Sequence, residues 1–224
     1  MSTINVDNIA EYTSSGKINA THDIKMASGK SVLNSDGKAI GNLVKVGTVT
    51  ASDSATVSID NFVDTTNYSL YKIVAHNLLP SVDDREIRLK FRSGGASGSD
   101  ITGTYYRAGH YAYASTSGSG TNANSSYTDY GTFTGGIGSN AGEGLSFTGI
   151  ISVANGSTGT NWIEMSWVYK NSSNHLVKDN ETISIKETTA MTGIKFYFNS
   201  GNVASGTIDI YGFSKWVQHT EIDH

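Results

Sequence analysis

From Val44 onward, apolar and polar residues alternate with the two-residue period of half-buried strands. Val44, Val46 and Thr48 fall on one face, and Val57 and Ile59 open the next strand. Residues 70–75 (Leu-Tyr-Lys-Ile-Val-Ala) predict a strong strand, and Pro80 is expected to stop its ladder because proline offers no N–H. Ile87, Leu89 and Phe91 point one way while Arg88, Lys90 and Arg92 point the other. The same period returns over 145–153 and 162–169, at Ile183 and Ile185, and over 194–198 and 208–213. Turn residues separate these runs, among them Asp83-Asp84, Asn155-Gly156 and the tetrad Asn199-Ser200-Gly201-Asn202. Many short strands at this spacing predict an all-β fold: a two-sheet β-sandwich, jelly-roll-like, over residues 44–224. Its predicted core is Ile87, Leu89, Phe91, Ile194, Phe196, Phe198, Ile208 and Ile210, with Trp162 or Trp167 beside them. No helix is expected. Residues 94–140, dense in Gly, Ser, Thr, Asn and Tyr, predict long loops and an irregular hairpin.

Residues 1–43 follow a different pattern. Short apolar stretches are interrupted by the steps Gly16-Lys17, Gly29-Lys30 and Gly37-Lys38. Ile4, Val6, Ile9, Ile18, Ile24, Val32, Leu33 and Ile40 are too sparse to be buried within one chain. Either the segment is a flexible leader, or several copies of the chain wrap around one another and supply the missing partners, and a trimer is the expectation.

Composition sharpens this picture. Of 224 residues 25 are Gly and one is Pro, and only 16% are charged, which favours strands and turns over a helical bundle. A net charge of -4 and the absence of any basic stripe give no reason to expect nucleic acid. No stretch approaches the roughly 18 apolar residues of a spanning helix, so membrane insertion is not expected. There is no cysteine, which removes disulfides and thiolate metal sites.

Motifs that carry chemistry are missing: neither GxxxxGK[ST], GxGxxG nor GxSxG occurs. The six histidines stand at neither HxH nor HxxxH spacing, so no metal site and no cofactor are expected. Glycan-cleaving enzymes need two carboxylates across one bond, and nothing in the spacing links Asp129, Glu143 and Glu164. The expectation is a protein without catalytic activity. One constellation does suggest recognition. Tyr105, Tyr106, His110, Tyr111, Tyr113, Tyr127, Asp129 and Tyr130 crowd a stretch that also holds Asn122, Asn124 and Thr128. Flat rings stack on the C–H faces of sugars, amides and carboxylates bind their hydroxyls, and Tyr-rich loops also recognise proteins. The equally weighted alternative is that these tyrosines cover the sandwich flank or a subunit seam.

The opening Met1-Ser2-Thr3-Ile4-Asn5-Val6-Asp7-Asn8-Ile9, with Ile24-Lys25-Met26-Ala27-Ser28-Gly29-Lys30 and Asp36-Gly37-Lys38-Ala39-Ile40-Gly41, resembles the N-termini of small tail-fibre and virion structural proteins of tailed phages, notably marine ones. Tyr68-Ser69-Leu70-Tyr71-Lys72-Ile73-Val74, Asn77-Leu78-Leu79-Pro80 and Gly206-Thr207-Ile208-Asp209-Ile210-Tyr211-Gly212-Phe213 extend the resemblance over most of the chain outside its middle. It implies a homotrimer in the virion, assembled in the host cytoplasm. The N-terminus would bind other virion proteins, and a distal β-rich head would contact a host surface glycan or protein. It brings no catalytic residues. The alternatives are a capsid decoration or baseplate protein with no receptor role and, less favoured, a small glycan hydrolase.

Overall fold

The computed structural model describes residues 43–113, 119–153 and 160–215. Ile4, Val6, Ile9, Ile18, Ile24, Val32, Leu33 and Ile40, expected to trimerise and dock, lie outside the described residues. The strands in chain order are β1 (Leu43–Ser54), β2 (Val57–Ile59), β3 (Tyr68–Pro80), β4 (Arg85–Ser93), β5 (Ser99–Asp100), β6 (Thr104–Tyr113) and β7 (Ser119–Thr128). They continue as β8 (Gly131–Ile137), β9 (Leu145–Ser152), β10 (Trp162–Lys170), β11 (Leu176–Ile185), β12 (Gly193–Phe198) and β13 (Val203–Ser214). Among the described residues the only helical piece is a single 3₁₀ turn, Gly95–Ser97.

Two antiparallel sheets make a β-sandwich. The large sheet runs β1-β13-β3-β9-β10-β11-β6-β7, and the small one β2-β12-β4-β5 with β8 also paired to β4. Alternate residues of the regular strands, β3, β4 and β9 to β12 among them, meet between the sheets, as a two-residue period requires. All eight residues predicted for the core are buried, at 4% exposure or less. Of the two candidate tryptophans, Trp167 is the buried one; Trp162 is half-buried on the outer face. Phe133 joins the layers: its ring lies 4.9 Å from Trp167, 5.8 Å from Phe147 and 6.1 Å from Phe196.

As expected, β3 ends at Pro80, whose last pairing is with Val203, after a bulge at Asn77 (φ 51°). Two other expectations are corrected. Val44, Val46 and Thr48 do not share one face, because the β1–β13 register skips Val46. That bulge turns Val46, Val49 and Ala51 to the core while Thr48 stays exposed and donates to Asp209 Oδ1 at 2.6 Å. In residues 94–140 the expected irregular hairpin is present, β6 with β7 and a register shift between Arg107 and Gly109, but the stretch is not mainly loops, since it also supplies β5 and β8. β11 pairs β6, β4 pairs β5 and β8, and β6 in turn pairs β7, and Thr and Tyr suit such strands, so pairing overrides the glycine content.

Strand β11 buries carboxylates where its alternation would otherwise place apolar side chains. Asp179 and Glu181 are 3% and 2% exposed. Glu181 forms an ion pair with Arg107 of β6, whose guanidinium also donates to the Phe133 carbonyl at 2.9 Å. Burial pushes the Asp179 carboxyl up from 3.8 to about 6, against the hydrogen bond from the Asn180 amide and the charge of Arg107. The folded value lies above the unfolded one, so Asp179 favours folding most below about pH 4 and loses that contribution as pH rises toward 6. Asp179→Asn should therefore melt at a higher temperature than the parent at pH 7, and the gap should shrink as pH falls to 4. Melting curves across that range check both the sign and the window.

Candidate functional site

The predicted recognition residues do not converge on one place. Tyr105 is a core residue, fully buried and stacked on Phe91 with centroids 5.8 Å apart. Its hydroxyl donates to the Ile101 carbonyl at 2.9 Å and accepts the Phe91 N–H at 3.1 Å. Asp129 builds the turn after β7: its N–H donates to the Gly103 carbonyl at 2.8 Å and its carboxylate accepts the Gly103 N–H at 3.1 Å. Tyr111 and Tyr113 lie on β6, paired with Asp179 and Val177 of β11, and Tyr111 is half-buried. Tyr127 and Tyr130, both half-buried, lie 5.5 Å apart, and the Arg88 guanidinium sits 4.1 Å above the Tyr130 ring. Among the candidates whose side chains are described, Tyr106 and His110 stand out on the open face of the large sheet. The picture of one aromatic loop cluster is thus corrected. Strand alternation sends neighbouring tyrosines to opposite faces, which a composition-based reading of a loop misses.

The outer face of the small sheet is charged but internally compensated. Asp100 accepts from Lys195 and Arg92 at 2.6 Å each and pairs with Lys90 at 3.3 Å. Burial works against its ionisation, yet Lys195 and Lys90 hold its carboxyl below the usual range. Arg92 is further tied to Asp60 at 2.7 Å and to the Gly98 carbonyl at 2.7 Å, and Arg88 to Glu86 at 2.6 Å. The alternation of Arg88, Lys90 and Arg92 announced this row in the sequence, but not the carboxylates that neutralise it.

The open face of the large sheet is different. Tyr106 is 46% exposed and borders a depression of ≈ 200 Å³ whose other walls are Arg107, Ala108, Thr182 and Ser184. Trp162 lies in the same cross-strand row, paired to Ser184, which is paired to Tyr106. Two strand spacings, about 10 Å, separate the two aromatic positions. Toward the middle of the sheet a second and larger hollow, ≈ 350 Å³, runs from β3 to β11. No periodicity in the sequence marks these hollows, because they depend on which short side chains become neighbours across strands.

Carboxylates weighed for hydrolysis are scattered: Asp129 in its turn, Glu143 buried before β9 and accepting the Asn140 N–H at 2.8 Å, and Glu164 exposed on β10. No group of three or more metal-ligating side chains occurs among the described residues. Comparison with family models, curated proteins and solved structures returns no match.

Proposed function

We propose that this protein is a non-enzymatic structural protein of a phage virion, a homotrimeric tail fibre that attaches to the particle through residues 1–43. Its sandwich meets the host surface with the open face of the large sheet. The observation that carries the reading is Tyr106, a large ring left 46% exposed beside a hydroxyl-lined depression. An aromatic at such a site anchors binding, and small neighbours give a sugar or peptide group room to stack. The resemblance of the N-terminal residues to those of phage virion proteins supports the setting.

Tyr106→Ala tests it. The purified variant should compete with parent particles for host cells at least about tenfold less well. Its melting temperature should stay nearly unchanged, as for an exposed position that anchors no core. Undiminished competition would instead favour the architectural alternative, a capsid decoration or baseplate protein. That second reading draws on Tyr105, Asp129 and Tyr130, which are engaged in holding the fold together. Gold-labelled antibody on intact particles separates them: label on projecting fibres supports the first, label over the shell the second.

A further inference from the structure

The hollow of ≈ 350 Å³ on the large sheet has a floor of short hydroxyl side chains. Thr148 of β9 pairs across to Val74 of β3 and Ser166 of β10, and Ser146 of β9 pairs with Val168, which pairs with Lys178 of β11. His76 and Val74 form one wall, Val168 and Lys178 the other. The bulge in β3 contributes directly: the Asn77 N–H donates to Ser146 Oγ at 2.9 Å. Ser166 Oγ accepts from the Lys178 ammonium, which also reaches Asn180 Oδ1 and the Asp179 carbonyl, each at 3.1 Å. Both serine oxygens thus accept from internal donors, and their O–H groups remain to donate into the hollow. These neutral acceptors take all three N–H groups of the ammonium, so it lends the hollow its charge and no free donor.

The lining is mainly apolar, its polar part is the three hydroxyl groups, His76 and one cation, and no carboxylate lines it. Charge on the surrounding face points the same way. Outward strand positions carry Lys45, Lys72, Lys170 and Lys178 against Asp209 and Glu164, and Lys45 and Asp209 neutralise each other at 2.6 Å. The chain as a whole is net negative at -4, so this cationic tilt is local. Val74 and Val168 add apolar surface suited to sugar C–H groups. The volume falls within the range of small-molecule sites, about 300–1,000 Å³.

We propose that this hollow binds a carboxylated sugar unit of an acidic polysaccharide, with the ligand carboxylate accepting from the Ser166 O–H beside the Lys178 charge and its hydroxyls on Ser146 and Thr148. The proposal rests on the host-surface reading and narrows it to an acidic glycan.

The test is calorimetric titration of the full-length protein with tetramers of galacturonate, mannuronate and hyaluronan, against a neutral galactose tetramer. At least one acidic tetramer should bind and the neutral one at least about tenfold more weakly, with affinity falling as salt is raised. Thr148→Trp, which fills the hollow, should abolish binding, and Lys178→Met should weaken the acidic ligand about tenfold or more while leaving the melting temperature near the parent's. Equal binding of neutral and acidic tetramers would overturn the acidic assignment. Binding indifferent to both substitutions, or no binding by any acidic tetramer, would overturn the site. Either result leaves the host-surface reading standing if Tyr106→Ala still loses adsorption.

Discussion

Phe133→Ala should lower the free energy of unfolding by about 3–5 kcal/mol, measured by chemical denaturation. Phe133 is fully buried on β8, and its ring touches the aromatic groups of both sheets: Phe147 and Trp167 from the large one, Phe196 from the small one. These neighbours are themselves packed, Phe147 and Phe196 lying 5.5 Å apart, so they have little room to collapse into the cavity. A loss below about 1 kcal/mol would mean that β8 does not carry Phe133 between the sheets.

The second large effect concerns the buried ion pair. Glu181→Gln should cost about 3–5 kcal/mol, because it strands the Arg107 guanidinium in a site that excludes water. The Glu181 side chain is fully buried and that of Arg107 is 12% exposed. The pair also depends on Gly109, where an added β-carbon would collide with Glu181 Cγ and the Asn180 carbonyl. Replacing both partners, Arg107→Met with Glu181→Leu, should recover most of the loss, since an apolar pair of similar volume needs no compensating charge. A double-mutant cycle by denaturation measures the coupling. Additive effects of the two single changes would show that the pair is solvated.

Both predictions rest on residues whose roles the sequence displayed unequally. Phe133 stands in a Gly- and Thr-rich run that reads as loop, yet it occupies the centre of the core. Arg107 and Glu181 are 74 positions apart, and nothing local says that they meet. By contrast Ile87, Leu89 and Phe91 on β4, and Ile194, Phe196 and Phe198 on β12, were legible as inward residues. Their strands alternate cleanly with charged or polar partners, and the register Leu89↔Phe196 follows from burying both apolar faces together. The recognition surface was least legible. Tyr105 and Tyr106 are adjacent in the chain, but one is fully buried and the other 46% exposed.

The sequence by itself determined the all-β class, the inward faces of the regular strands and the turns at Asp83-Asp84 and 199–202, because a two-residue period and turn chemistry are local properties. Only the tertiary structure decided that residues 94–140 become mainly strands, that Asp179 and Glu181 turn inward, and that Ser146, Thr148, Ser166 and Lys178 share one hollow. Those outcomes depend on which strand edges meet and in what register. Pairings between distant segments are fixed by the burial of the whole sandwich and not by any single stretch of chain.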